Sequence, residues 1–210
     1  MCAMCVYMYT DHTIRLFRFD HIQYCSSWKQ RAKPFKEIHA RDIGWSIIDV
    51  DYSPDSKFII YSSWSPYVHL AAVDSMSDYH EGLFLDPEAR RFCAFSVKFS
   101  PDSREILAGA NDHCLYVFDL ETNRRTVCFE AHDNDINTVC FGDDSGNLIF
   151  SGSDDAYCKA WDRRIISNDS RGRVKPVSVF VGHTGGITCV SARGDSRYMI
   201  SNSKDQSLKL

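Results

Sequence analysis

The sequence lacks the features by which several classes of protein are recognised. Its 210 residues contain no apolar run of the roughly 18 residues that a membrane helix needs, and no basic-then-apolar signal peptide opens the chain. The net charge is only −4, so the chain has no positive field that would favour nucleic acid or an anionic membrane. Hydrophobic residues make up 44% of the chain, too many for a disordered protein. These absences predict a globular chain without nucleic-acid or membrane partners.

Nine cysteines are present, and an odd number excludes complete pairing in disulfides. Most lie between apolar neighbours, as Cys140 does, which is typical of reduced thiols buried in an intracellular protein. A zinc site is the alternative, because four residues have suitable spacing: Cys2, Cys5, His21 and Cys25. However, residues 11–19 between them predict a turn and a strand rather than a metal knuckle. We therefore predict neither a metal nor a cofactor.

A repeated pairing of a turn residue with an apolar residue runs through the chain. The second residue follows the first by six positions, and the copies begin about 43 to 55 residues apart. The clear copies are Asp11 with Phe17, Asp112 with Phe118, and Asp155 with Trp161. Pro66 begins a degenerate copy that ends at Ala72, and Asp205 begins one that would end just beyond Leu210. Tetrads such as Ser100–Ser103, rich in residues that favour tight turns, precede these copies.

Short runs of strand composition separate the turns, and no segment keeps a helical period. The predicted strands are 45–52, 57–62, 67–73, 93–99, 105–110, 115–118, 136–141, 148–151, 157–161, 187–191 and 198–201. A fourth apolar run, such as 126–129, follows each complete set. Four short strands per repeat predict an all-β fold, in which residues 1–210 form a single β-propeller fragment of about four blades. We expect this fragment to be incomplete at both ends, with unpaired strand edges.

The third repeat contains a series of short motifs: His132, a Ser-Gly-Ser-Asp-Asp segment at 151–155 and the pair Trp161-Asp162, after which Gly182-His183 starts the pattern again. In these motifs and their spacing the chain resembles the WD-repeat family. The resemblance implies a hydrogen-bonded chain that pins each blade. It gives structural roles to His132, Ser151 or Ser153, Asp155 and Trp161, and to Asp112, His183 and Asp205 in the neighbouring repeats.

His132, Ser151 and Asp155 also have the residue types of a catalytic triad. Equivalent positions recur in several repeats, and recurrence indicates architecture rather than one reactive centre. We therefore expect no catalytic residue and no enzyme activity.

The segment 148–164 resembles a narrower group within the family, the substrate receptors of cullin-4 RING ubiquitin ligases. Its Trp161-Asp162-Arg163-Arg164 ending matches their "Trp-Asp-x-Arg" box, and the likeness extends through essentially the whole chain. The resemblance implies that Trp161, Asp162 and Arg164 bind the propeller adaptor, which links the receptor to cullin-4, while position 163 is free. It implies a noncatalytic receptor, in the nucleus and cytoplasm, that recruits a protein substrate such as a stress-response transcription factor. The alternative is a general WD-repeat scaffold of another assembly.

Substrate-binding candidates lie elsewhere, around the degenerate turn at Pro66. They are Trp64, Tyr67, Arg41 and Asp42, of which the Trp, Tyr and Arg are residue types that dominate interface energetics. The alternative is that Trp64 closes a blade edge and that Arg41 is solvated. Basic pairs such as Arg124-Arg125 are scattered over an acidic chain, which favours solvated surface rather than a nucleic-acid site.

Overall fold

A computed structural model describes residues 4–8, 11–18, 33–74, 76–86, 91–166 and 174–210. The strands in these residues form five antiparallel sheets, numbered here as blades 1 to 5. Blade 1 contains β1 (Met4–Met8), β2 (Thr13–Arg18) and β3 (Lys36–His39). Blade 2 contains β4 (Ile47–Tyr52), β5 (Phe58–Ser63), β6 (Tyr67–Ala72) and β7 (His80–Phe84). Blade 3 contains β8 (Ala94–Phe99), β9 (Glu105–Ala110), β10 (Cys114–Asp119) and β11 (Arg124–Glu130).

Blade 4 contains β12 (Ile136–Phe141), β13 (Leu148–Ser153), β14 (Cys158–Asp162) and β15 (Ser178–Phe180). Blade 5 contains β16 (Ile187–Ala192), β17 (Met199–Ser203) and β18 (Leu208–Lys209). The all-β propeller arrangement that the repeats predict is confirmed, with four strands in each of the three middle blades. Among the described residues there is no helix that is long and apolar enough to cross a membrane.

The apolar strands of blades 2 to 4 are buried on both sides because each of these three sheets packs between two others. In β9, Ile106 and Ala108 contact the cluster that blades 2 and 3 share. Leu107 lies between them and contacts the cluster that blades 3 and 4 share. All three side chains are completely buried. Because successive side chains of a strand point to opposite faces, a nearly continuous apolar run fills two interfaces at once.

The first strand of each blade from 2 to 5, namely β4, β8, β12 and β16, contacts the first strand of a neighbouring blade and is called its inner strand; in blades 2 to 4 the fourth strand is the outer strand. Side-chain oxygens on the inner strands connect neighbouring blades. Each of these residues lies just after a shift in the pairing register of its strand. Its side-chain oxygen accepts a hydrogen bond from a backbone N–H of the next inner strand. Asp49 accepts from Val97 (2.9 Å), Ser96 from Val139 (3.3 Å) and Thr138 from Val190 (3.1 Å). Close packing accompanies this link, since a Cβ added at Gly152 would lie 2.5 Å from the Ile187 Cγ2 atom. The inner strands therefore hold the blades in a fixed order and spacing.

The β13–β14 hairpin defines the two faces of the propeller. Its turn carries Asp155, and the loop that carries His132 lies beside that turn. At the other end of the hairpin, Asp162 pairs with Leu148. We call the first side the tetrad face, and the side on which the chain leaves Asp162 the box face. Side chains on the two faces can therefore contact different partners at the same time.

Candidate functional site

Four side chains of blade 4 form one continuous hydrogen-bonded chain. His132 Nδ1 donates to the Asp155 carboxylate at 2.8 Å, and the Ser151 hydroxyl donates to His132 Nε2 at 2.7 Å. The Trp161 indole N–H in turn donates to the Ser151 oxygen at 2.8 Å. We call His132, Ser151, Asp155 and Trp161 the tetrad. Its members come from the loop before β12, from β13, from the following turn and from β14, so it joins every part of the blade's centre.

The protonation states of the tetrad follow from its burial. Burial lowers the pKa of His132 below its ordinary value, although the Asp155 carboxylate opposes this shift. Burial alone would raise the pKa of Asp155, but hydrogen bonds from His132 and from two backbone N–H groups hold it below its ordinary value. A neutral imidazole between a carboxylate and a hydroxyl is the state that these bonds require. Ser151 is fully buried and already bonded to the Trp161 N–H, so its hydroxyl is not available to a dissolved substrate.

Ser153 lies outside this chain of bonds, although the sequence left it as an alternative to Ser151. Its hydroxyl donates to the carbonyl of Asn134 at 3.1 Å and accepts the N–H of Asp155 at 3.1 Å. It thereby closes the turn that positions the Asp155 carboxylate.

In blade 5, three residues reproduce the bonds of His132, Asp155 and Ser151. His183 contacts the Asp205 carboxylate at 2.9 Å and the Ser201 hydroxyl at 2.8 Å. Asp112 of blade 3 differs, since its carboxylate accepts the Tyr116 hydroxyl and the N–H of Cys114. No bond to a histidine is present at this carboxylate in the described part of the chain. The expectation that Asp112 has the role of Asp155 is thus corrected, because Tyr116 occupies the space in front of it.

The box loop, residues 162–166, is a tight turn on the box face. The Asp162 carboxylate accepts the Arg164 backbone N–H (3.0 Å) and two bonds from its guanidinium (3.0 and 2.6 Å). This pairing raises the pKa of Arg164 and lowers that of Asp162. The Arg164 side chain remains 73% exposed, and Ile165 beside it is 70% exposed. Ile166 returns to the core beside Trp161. A fixed turn therefore presents one planar cation and one apolar side chain to solvent.

Two predictions about the box are wrong. Trp161 is only 1% exposed and cannot touch an adaptor, because it fills the core between blades 3 and 4 and completes the tetrad. Position 163 is not free either. The Arg163 guanidinium donates to both carboxylate oxygens of Glu105 in blade 3, at 2.5 and 2.8 Å, so its role is structural. Of the box residues, Arg164 alone presents a largely exposed side chain.

The predicted substrate-face residues lie together on the tetrad face of blade 2. Trp64 is 49% exposed and lies 5.8 Å from the ring of Phe95, so it does not close the blade edge. Tyr67 is 36% exposed and packs 5.0 Å from the ring of Phe84. Arg41 and Asp42 are also exposed, in the loop that enters β4. Ser65, rather than Pro66, replaces the turn aspartate, since it accepts the Tyr67 N–H as Asp155 accepts that of Tyr157.

Blade 2 replaces the tetrad by a different group of buried residues. Tyr61 occupies the strand position of Ser151; its hydroxyl donates to His80 Nε2 at 2.7 Å and accepts the Arg41 N–H at 2.9 Å. Burial raises the pKa of Tyr61 to about 12 and lowers that of His80 to about 4. His69 stacks on Tyr61 at 4.9 Å, is 2% exposed, and has no hydrogen-bond partner in the described structure. Spacing alone did not reveal this group, because a tyrosine stands where the repeat expects serine.

The zinc alternative falls mostly outside the described residues, to which Cys2, His21 and Cys25 do not belong; only Cys5 lies in a described strand, β1. Within the described ranges, no three His, Cys, Asp or Glu side chains are grouped so as to hold a metal ion.

Comparison with known proteins places this geometry in a family. The profile of the "WD domain, G-beta repeat" matches residues 92–119, 123–162 and 174–210, half of the chain. The chain belongs to the WD-repeat family. The first match covers the Asp112 turn, the second contains the whole tetrad and the third contains its copy in blade 5. The network of bonds in blade 4 is thus the feature that the family's sequence pattern describes.

Several curated proteins are similar over most of the chain. The "LEC14B protein" of Lithospermum erythrorhizon is 42% identical over 208 residues, which are 94% of this chain and 41% of that protein. The "DDB1- and CUL4-associated factor 11 homolog" of Caenorhabditis elegans is 40% identical over 190 residues, 87% of this chain and 33% of that protein. The Drosophila melanogaster "WD repeat-containing protein 55 homolog" is 31% identical over 156 residues. The chain spans about two fifths of the length of the first of these relatives.

Proposed function

We propose that this WD-repeat chain acts as a substrate receptor of a cullin-4 RING ubiquitin ligase. The observation that carries the proposal is the box loop, where Asp162 holds an exposed Arg164 on the face opposite the tetrad turns. A planar guanidinium with fixed orientation can bind carbonyl or carboxylate oxygens of a partner with two parallel bonds. The name of the Caenorhabditis elegans relative, a DDB1- and CUL4-associated factor 11 homolog, supports the same partner.

In this role the chain contributes binding rather than chemistry. The adaptor engages the box face through Arg164, and the protein substrate engages the tetrad face through Trp64, Tyr67, Arg41 and Asp42. A substrate held near the RING subunit is modified faster because its effective concentration there is raised. A stress-response transcription factor is the substrate class that the family resemblance suggests. The two faces are separated by the length of the blades, so both partners fit simultaneously.

The test is coprecipitation of the adaptor and cullin-4 with Arg164→Ala. We expect recovery of both to be lost while the melting curve is unchanged, since Arg164 is exposed and its only described ion pair is local. The matched control is Arg104→Ala, which removes an exposed arginine from the same face of blade 3. Equal recovery with wild type and Arg164→Ala would favour a general WD-repeat scaffold for another assembly.

A further inference from the structure

An exposed strip of aromatic side chains crosses the tetrad face of blade 2. It consists of the exposed Trp45, Trp64, Tyr67 and Phe84 and the half-buried Phe95, and we call it the aromatic strip. Phe95 belongs to the inner strand of blade 3 and Phe84 to the outer strand of blade 2, so the strip runs outward along the face. Trp45 is 81% exposed, the largest exposure of any described tryptophan. Single exposed apolar residues are ordinary, but two exposed tryptophans together with the Trp64–Phe95 and Tyr67–Phe84 ring pairs on one face indicate a binding surface.

Backbone contacts position both tryptophans, and the Trp64 ring also packs on Phe95. Gly44 lies directly against the Trp64 carbonyl, and a Cβ at this position would be 2.1 Å from that oxygen, so only glycine fits. The Ser63 hydroxyl donates to the Asp42 carbonyl at 3.4 Å, and His12 Nε2 donates to the Trp45 carbonyl at 2.9 Å. The loop that carries Trp45 is thereby fixed on the turn that carries Trp64. Most of Trp45 and about half of Trp64 remain exposed, so a partner can contact both side chains at little cost in ordering.

The Asp42 carboxylate lies beside the strip and forms no described ion pair with a lysine or an arginine. The Asp42 side chain is 65% exposed, and His69 is the only described basic group within 4 Å, at 3.8 Å. Burial lowers the pKa of His69, so this imidazole is neutral near pH 7 and leaves the Asp42 charge in place. The neighbouring Arg41 also lines the cleft between blades 1 and 2, together with His39 and His80, and forms no described ion pair with Asp42. The net charge of −4 adds a weak attraction for cations over the whole surface.

We propose that the aromatic strip and Asp42 bind a lysine or arginine side chain presented by an extended segment of a partner protein. Aromatic faces attract cations through the ring quadrupole, and a neighbouring carboxylate adds a direct ion pair. A nucleic acid would meet the wrong sign of charge at Asp42. The inference rests on the proposed function only where it calls this partner the substrate; the binding itself requires neither adaptor nor cullin.

The test uses the 210-residue chain and short fluorescein-labelled peptides that carry Arg, Lys, citrulline or Glu between apolar residues. Citrulline has the shape of arginine without its charge, so the comparison isolates the cation. We expect the Arg and Lys peptides to bind about tenfold more tightly than the citrulline peptide, and the Glu peptide most weakly. Asp42→Asn should remove most of this preference, and Trp64→Ala should weaken binding of every peptide. Equal affinity for the Arg and citrulline peptides would overturn the proposal.

Matched controls separate the strip from general attraction to an acidic chain. Tyr157→Ala changes the aromatic residue that corresponds to Tyr67 in blade 4, and Asp144→Asn removes an exposed acid from the box face. Neither should alter peptide binding, and loss of the Arg preference in Asp144→Asn would contradict a local site. Asp42→Asn also keeps the test valid if Trp64→Ala fails to fold.

Coprecipitation with the adaptor distinguishes failure of this inference from failure of the proposed function. Trp64→Ala should recover the adaptor normally, and Arg164→Ala should bind the peptides normally. If Arg164→Ala still recovers the adaptor and the wild-type chain prefers the Arg peptide, the receptor function is wrong and the peptide site is supported. If the wild-type chain shows no preference for the Arg peptide and Arg164→Ala no longer recovers the adaptor, the receptor function is supported and the peptide site is wrong.

Discussion

Arg163 in blade 4 and Glu105 in blade 3 form a two-bond ion pair across the gap between their blades. The Arg163 backbone also donates to the Asn147 carbonyl at 2.9 Å, so the residue is held at both ends. Its neighbour Arg164 points to solvent and contacts only its own loop. Two consecutive arginines thus have opposite roles: the first fixes the box loop to the propeller and the second remains accessible to a partner.

Arg163→Ala should therefore reduce stability, and it cannot serve as a neutral control for Arg164→Ala. Both side chains of the ion pair are about one fifth exposed, so we expect a loss of about 1–2 kcal/mol in the free energy of unfolding. Glu105→Gln should cost a similar amount. Urea unfolding of the two single variants and the double variant gives the coupling energy. Additive effects would mean that the pair contributes nothing.

Ser151→Ala should destabilise the chain more than Ser201→Ala does. The Ser151 hydroxyl joins His132 to Trp161, and its removal leaves both buried nitrogens unpartnered, at a cost of about 2–4 kcal/mol. Ser201 makes the corresponding bond to His183 at 2.8 Å, but no described tryptophan donates to it. Urea unfolding of the two variants measures the difference. Equal losses would contradict a joining role for Ser151.

The tetrad could be predicted from sequence because it depends on residue types at fixed spacing within one repeat. The contacts between repeats could not be predicted in this way. Glu105 lies far from Arg163 in the chain, and nothing in a Trp-Asp-x-Arg pattern indicates an ion pair to the preceding blade. Trp45 shows the same limit: its apolar character predicts the start of a strand, whereas β4 begins at Ile47. Gly44 packs against Trp64 and keeps Trp45 in the loop.

Trp161→Ala and Trp64→Ala should have very different effects on folding. Trp161 is 1% exposed and packs 4.9 Å from the ring of Phe129, so its truncation should cost about 3–5 kcal/mol. Trp64 is 49% exposed and its ring packs on Phe95 at the surface, so its truncation should cost less, about 1 kcal/mol. Thermal melts of the two variants provide the comparison. A large loss in Trp64→Ala would assign that ring to the core instead.

Stability should fall as the pH drops below about 6.5, partly because of His80. Burial lowers the pKa of His80 from 6.5 to about 4. Between these values the unfolded chain binds a proton that the folded chain does not, so acid favours unfolding. The contribution of the neutral His80 to the free energy of unfolding is complete above pH 6.5 and is lost as the pH approaches 4. His80→Gln should flatten this part of the pH dependence of unfolding by urea. Identical slopes for wild type and His80→Gln would show that the imidazole is not buried in this way.

Asp162→Asn should weaken adaptor binding less than Arg164→Ala does. The Asp162 carboxylate orients the guanidinium through two bonds but accepts the Arg164 N–H as well, so an amide retains part of the turn. Loss of Arg164 as an interface anchor could cost about 2 kcal/mol, or roughly thirtyfold in affinity, and loss of its orientation only part of this. Arg164→Lys should also bind weakly, because an ammonium cannot form two parallel bonds in one plane. Titration of purified adaptor against each variant measures these differences.

The double variant Asp162→Asn/Arg164→Ala tests whether Asp162 acts only through Arg164. If it does, the double variant should bind the adaptor no worse than Arg164→Ala. An additional loss of affinity would indicate that Asp162 contacts the adaptor directly.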